Sequence, residues 1–256
     1  MNKTKYVKDY SIEELMIIAA ARELKDGENV LVGIGLPIMA AMLAKRTHAP
    51  NIKIIFESGI IDSNPTYVPL SIGDPDSVTG CKSIFDFFEV FALLLQPGHI
   101  DVGILGGAQV DKYGNLNSTV IGDYEKPKVR LPGSGGACAI ASLAKRTIII
   151  MPHEKRRFPE KVDFITSPGY LNGMNSREES GIVRGGPIAV ITNLCVLRFD
   201  EKTKEMYLDT YHPGVSIKDI KANTGWDLKI SPNVKETEPP TEKEIEVLRE
   251  IRETRI

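Results

Sequence analysis

Two hydrophobic periods alternate along the chain, and that alternation predicts its fold class. Ser11 and Glu14 form a capping box, and Ile17, Ala20, Ala21 and Leu24 recur on one helical face until Asp26-Gly27 ends the helix. Asn29-Val30-Leu31-Val32 reads as a strand that turns through Gly33-Ile34-Gly35-Leu36-Pro37 into a helix over 38–45, with the proline near the helix start. A short buried strand, Ile52-Lys53-Ile54-Ile55-Phe56, stops at Glu57-Ser58-Gly59. Residues 71–76 read as loop, and 84–95 as a helix too apolar to stand fully exposed. A strand over 100–105 breaks into Gly106-Gly107, and turn chemistry fills 111–117. Gly133-Ser134-Gly135-Gly136-Ala137 then leads into an Ala-rich helix ending near Lys145, and strands follow over 147–151, 188–192 and 196–199. Strands alternating with helices predict an α/β fold, an open, mainly parallel sheet with flanking helices. No Pro/Ser linker or fixed-period repeat interrupts the chain. It reads as one domain over 1–256 with a charged tail from about residue 235, where Pro239-Pro240 precede an exposed helix.

Composition narrows the class. The 256 residues suffice for one large α/β domain or two small ones, and a chain of this size buries roughly three quarters of its unfolded surface without metals or crosslinks. Net charge is −2, so no global field draws the chain to nucleic acid or an anionic membrane. No apolar run approaches the roughly 20 residues of a membrane span, and the polar residues at 1–6 lead into a helix rather than a signal core. Cys81, Cys138 and Cys195 are odd in number and widely spaced, which fits neither a disulfide frame nor a zinc site and suits a reducing, cytoplasmic setting. Cys138, beside a glycine loop, reads as a small buried residue. His48, His99, His153 and His212 show no metal-ligand spacing, so no metal is expected.

Chemistry enters at the ends of the strands. Glu57 stands where open α/β sheets put their sites, beyond the carboxyl end of a strand, and Gly59 lets another backbone approach. Three glycine-rich turns also follow strands: Gly33-x-Gly35, Gly106-Gly107 and Gly133-x-Gly135-Gly136. Bare backbone N–H groups in such turns can hold phosphate oxygens or a developing oxyanion. None matches a dinucleotide or nucleoside-triphosphate fingerprint, and Gly133-Ser134-Gly135 is out of register for a nucleophile elbow. The cluster Lys155-Arg156-Arg157 reads as a surface or interface patch, with an anion site as the alternative. A carboxylate can attack an activated acyl group if oxyanion donors stabilise the tetrahedral intermediate. The residues alone reach a candidate acyl-transfer site and stop there.

Several of these segments, taken together, resemble the class I coenzyme A transferases, and specifically the beta-subunit type that acts on glutaconate. They are Val32-Gly33-Ile34-Gly35-Leu36-Pro37, Glu57-Ser58-Gly59, Ser71-Ile72-Gly73-Asp74, Gly106-Gly107-Ala108-Gln109, and Tyr113-Gly114-Asn115. Further on come Ser118-Thr119, Ile121-Gly122-Asp123-Tyr124, Gly133-Ser134-Gly135-Gly136-Ala137, His153-Glu154-Lys155-Arg156-Arg157-Phe158, and Thr166-Ser167-Pro168-Gly169. The resemblance implies a CoA-transferase-type α/β fold and a homologous alpha subunit as partner in a hetero-oligomer. It also implies acyl-CoA and a carboxylic acid as substrates, coenzyme A as co-substrate, and no permanently bound cofactor. By the same resemblance Glu57 attacks the acyl-CoA thioester and carries a glutamyl-CoA thioester, and the loop of Gly135 and Gly136 lies at that thioester. Gly33, Gly35, Ser58, Gly59, Gly106 and Gly107 are expected to line the substrate or CoA cleft. Related chains hydrolyse or decarboxylate CoA esters and depart from the pattern at the glutamate position, which is retained here. Hydrolysis, decarboxylation and a non-catalytic partner role remain as alternatives.

Overall fold

The structure is a computed structural model that describes residues 5–253. The first four of the polar lead-in residues, and 254–256 of the expected tail, lie outside the described residues. The chain forms two compact units, Met1–Ile104 with Glu238–Ile256, and Leu105–Thr237.

In the first unit, helix α1 (Ile12–Ala21) starts at the expected capping box, where the Ser11 hydroxyl accepts from Glu14 N–H and the Glu14 carboxylate accepts from Ser11 N–H. Strand β1 (Asn29–Val32) runs into α2 (Leu36–Arg46), which Gly35 enters at φ +86° and Pro37 opens. Strands β2 (Lys53–Ile55), β3 (Ile60–Ser63) and β4 (Ser83–Ile84) follow. Then come α3 (Phe87–Glu89), which continues as π-type turns over Val90–Leu95, and β5 (Val102–Leu105). Strand β1 pairs in parallel with β2 and β5, and β3 and β4 add on antiparallel. The three parallel strands are almost wholly apolar and buried, as a sheet covered on both faces requires.

Two expectations for this unit are corrected. The helix expected over 84–95 begins only at Phe87, because Ile84 is taken into β4 and Asp86 caps the next turn. As expected it is not fully exposed, since Val90 and Leu95 are buried, although Phe88 is 71% and Phe87 55% exposed. The C-terminal helix, Glu242–Glu253, is half core rather than an exposed tail, since Ile245, Leu248 and Ile251 recur at helical spacing and are buried against α1 and α2. Arg22 grips Glu244 through two bonds of 2.8 Å, and Arg249 Nε donates to Glu14 at 2.8 Å.

The second unit opens with two short hairpins, β6 (Gln109–Val110) with β7 (Leu116–Asn117) and β8 (Val120–Gly122) with β9 (Pro127–Arg130). Helix α4 (Ala137–Leu143), strand β10 (Arg146–Ile150), α5 (Ser176–Glu179), and strands β11 (Pro187–Ile191), β12 (Cys195–Phe199) and β13 (Met206–Tyr211) follow. Helix α6 (Ile217–Ala222) and strand β14 (Lys229–Glu236) complete it. The sheet order is β14-β13-β12-β11-β10, with β10–β11 and β13–β14 parallel and the pairs between them antiparallel. The expected open α/β architecture is present, parallel strands with flanking helices, and antiparallel strands are inserted in it. Among the described residues no helix is long and apolar enough to cross a membrane.

Candidate active site

Strand register positions the carboxylate. Leu31 pairs with Ile55 in the parallel β1–β2 ladder, so Gly33 and Glu57 follow the ends of two neighbouring parallel strands. Both lie just beyond the carboxyl ends of their strands. Glu57 is half-buried. The turn that holds it is short and bonded at both ends: Gly59 N–H donates to Phe56 O at 3.1 Å, and Phe56 N–H donates to Ile60 O at 3.0 Å. Gly59 adopts φ +109°, a conformation that only glycine holds without strain. Beside the carboxylate the Ser58 hydroxyl is buried and lacks a hydrogen-bond partner among the described residues. A buried hydroxyl left unpaired is costly and marks a place where a bound molecule can supply the missing partner.

The second unit brings its two glycine turns together. Ala108, next to Gly107, donates N–H to Asn117 O at 2.8 Å. The following residue, Ser118, exchanges two bonds with Gly133: Gly133 N–H donates to Ser118 O at 2.8 Å, and the Ser118 hydroxyl donates to Gly133 O at 2.8 Å. Gly106 packs so close to the end of β10 that a Cβ there would stand 3.3 Å from Ile150 O. The loop then turns at Gly135 (φ +49°) into α4, with Ala137 N–H on Ser134 O at 2.9 Å and Cys138 N–H on the Ser134 hydroxyl at 3.0 Å. The N–H groups of Gly135 and Gly136 donate to no acceptor among the described residues. Such a loop can donate to an oxyanion.

The family model for Coenzyme A transferase matches residues 13–223. The chain belongs to this family. It is 48% identical over 240 residues to the beta subunit of 3-oxoadipate CoA-transferase from Pseudomonas knackmussii, a match covering 94% of this chain and 92% of the relative. It is 45% identical over 248 residues to the beta subunit of glutaconate CoA-transferase from Acidaminococcus fermentans, with the same coverage of 94% and 92%. The crystal structure of glutaconate coenzyme A-transferase from Acidaminococcus fermentans matches with a TM-score of 0.89 at 42% identity, over 97% of this chain and 96% of that one.

Other sequence candidates in this CoA-transferase chain take structural places. His153 is buried, its ring stacked on Phe158 at 3.8 Å between centroids, with Nε2 3.0 Å from the Thr224 hydroxyl and Nδ1 3.6 Å from Cys195 Sγ. Burial pushes its pKa down to about 3 and that of the Cys195 thiol up to about 12, so neither is a reactive group near neutrality. Glu154 bonds the exposed Arg156 at 2.6 Å and lies 3.6 Å from Arg157, which neutralises part of the basic cluster. Cys138 is exposed rather than buried, because it sits on the open side of the first turn of α4. Among the described residues no three His, Cys, Asp or Glu side chains gather as a metal site would require.

Arg177 has a role that its sequence context hardly signals. Among the described residues its buried guanidinium donates only to main-chain carbonyls: Ala141 at 2.6 Å, Gly169 at 2.7 Å, Pro168 at 3.0 Å, and Arg184 at 2.6 and 3.0 Å. It thereby ties α4, which follows the glycine loop, to the Pro168–Gly169 segment. Only the odd placement of an arginine in an otherwise solvated Ser-Arg-Glu-Glu turn hints at this in the sequence.

Proposed function

We propose that this chain is the beta-type subunit of an acyl-CoA:carboxylate CoA-transferase, working with a homologous alpha subunit in a hetero-oligomer, with Glu57 as its nucleophile. The observation that carries the reading is Glu57 itself, an acid at the carboxyl end of a parallel strand in a family whose members move CoA between acids. Glu57 attacks the thioester carbonyl and the CoA thiolate leaves, giving a mixed anhydride. The thiolate then attacks the glutamyl carbonyl, releasing the first carboxylic acid and leaving a glutamyl-CoA thioester. An acceptor carboxylate reverses the sequence: it attacks the glutamyl carbonyl, the thiolate departs, and the thiolate takes the acceptor's acyl group while Glu57 is released.

Each thioester replaces another, so the exchange is close to thermoneutral. The barrier is lowered by contacts to CoA remote from the reacting carbon, and the N–H groups of Gly135 and Gly136 act as donors to the tetrahedral oxyanion. Gly33 and Gly35, where a Cβ would meet open space, leave room for substrate to approach the backbone; Gly106 and Gly107 let their turn close against Ile150 and Asn117 at the cleft, and Ser58 supplies a hydroxyl to the substrate. Water must be kept from both intermediates, since either would hydrolyse. Two relatives are named for glutaconate and 3-oxoadipate, both acids with a second carboxylate, which supports a dicarboxylic acyl-CoA as substrate.

The test is Glu57→Ala in the purified two-chain complex, with glutaconyl-CoA or 3-oxoadipyl-CoA and a panel of acceptor acids. Loss of CoA transfer by more than about a thousandfold fits removal of a covalent nucleophile. A fully active variant would make this chain a scaffold. Steady CoA release by the wild type without any acceptor would make the complex a hydrolase, and loss of carbon dioxide from the acyl group would make it a decarboxylase.

A further inference from the structure

A glycine loop that must present two N–H groups has a physical weakness. Peptide planes flanked by glycine rotate cheaply, since no Cβ restricts φ and ψ. Gly133 and Gly135 both sit at positive φ, +95° and +49°, and a Cβ at either would meet no atom within 4 Å. No side-chain contact restrains these two positions, and hydrogen bonds fix their peptide planes.

The first peptide plane of the loop joins Gly133 C=O to Ser134 N–H, and a planar peptide moves as one body. That carbonyl accepts the Ser118 hydroxyl at 2.8 Å. Ser118 is itself fixed: its N–H donates to the Thr166 hydroxyl at 2.9 Å, the Thr166 and Thr119 hydroxyls share a bond of 2.7 Å, and Thr166 N–H donates to Leu116 O at 2.8 Å. We propose that Ser118 is a positioning residue: its hydroxyl holds the Gly133–Ser134 peptide plane and, together with Ala137 N–H on Ser134 O at 2.9 Å, which holds the next plane, sets the direction of the Gly135 and Gly136 N–H groups. The proposal rests on the reading of that loop as the oxyanion donor. The main-chain bond from Gly133 N–H to Ser118 O survives any side-chain change at 118, so removing the hydroxyl frees the plane while leaving the loop attached.

The experiment compares wild type, Ser118→Ala and Ser118→Thr in the purified two-chain complex. It reads kcat, the KM for acyl-CoA, the melting temperature, and the rate at which a CoA adduct forms on the Glu57 peptide in the absence of acceptor. Loss of one orienting bond predicts a kcat for Ser118→Ala lower by about tenfold, with KM within about twofold because ground-state contacts are untouched. Adduct formation slows by the same factor, and Ser118→Thr, which keeps a hydroxyl, returns kcat to within about threefold of wild type. A Ser118→Ala complex that melts lower yet keeps its kcat would overturn the proposal in favour of a structural role. So would a Thr variant as slow as Ala at an unchanged melting temperature. If the Ala complex does not assemble, Ser118→Thr and Ser118→Cys stand in for it, and equal kcat in both despite the weak thiol donor overturns the proposal. Absence of any Glu57 adduct in the wild type would instead defeat the reading of the reaction on which it rests.

Discussion

The carbonyl oxygen of Phe85 fills the place where a side chain on Gly59 would begin. A Cβ built on Gly59 would stand 1.8 Å from Phe85 O, while Phe85 N–H donates to Gly59 O at 2.7 Å. The same glycine holds φ +109°, two residues after Glu57. Contact and conformation therefore both exclude any other residue. Gly59→Ala is expected to lower stability by about 2–4 kcal/mol, measured as a shift in the urea midpoint at constant slope, and to depress activity by displacing Glu57. An alanine variant as stable as wild type would show that the Glu57 turn relaxes at no cost.

Ser58 poses the opposite case. Its hydroxyl is buried beside Glu57 with no partner among the described residues, so Ser58→Ala removes an unsatisfied group and is expected to leave stability within about 1 kcal/mol of wild type or above it. Activity should nonetheless fall by about tenfold if the hydroxyl meets bound substrate. Thermal melts and steady-state rates on one preparation separate the two effects. A variant that is both stable and fully active would remove Ser58 from the site.

Two buried histidines make the second unit sensitive to acid. Burial lowers His153 to about 3 and His212 to about 4, and both are neutral in the fold. The unfolded chain takes up protons near the ordinary histidine pKa of about 6.5, so protonation favours unfolding as pH drops. Stability is fully present above about pH 6.5 and is lost progressively down to about pH 3–4, by about 2 kcal/mol per histidine at pH 5. Urea midpoints at about pH 7.5 and pH 5 should differ accordingly, and His212→Gln should shrink the difference. Equal slopes of stability against pH in the variant and wild type would contradict this assignment.

Much of this was legible in the sequence, for a physical reason. Fully buried parallel strands such as Val30–Val32 and Ile54–Ile55 are unbroken apolar runs, and a capping box such as Ser11–Glu14 depends on its own four residues. The Glu57 turn was legible for the same reason, since a carboxylate and a glycine after an apolar run are local signals. What stayed hidden depends on distant partners. Strand β14 alternates poorly, carries Pro232 and is largely exposed, so only its pairing with β13 makes it a strand. The C-terminal helix reads as charged because its three core positions are diluted by Glu, Lys and Arg, and its burial requires α1 and α2 to be in place. Ser118 and Arg177 act on residues 15 and 36 positions away, so neither the Ser118-Thr119 segment nor the oddly placed arginine names its partner.

The role of Glu57 as nucleophile is tested most directly by intact-protein and peptide mass spectrometry of the two-chain complex mixed with glutaconyl-CoA or 3-oxoadipyl-CoA. A covalent transferase gives a CoA adduct on the peptide bearing Glu57, formed with release of the free acid and discharged when a carboxylic acid acceptor is added. An unmodified Glu57 in a complex that still transfers CoA would contradict that role.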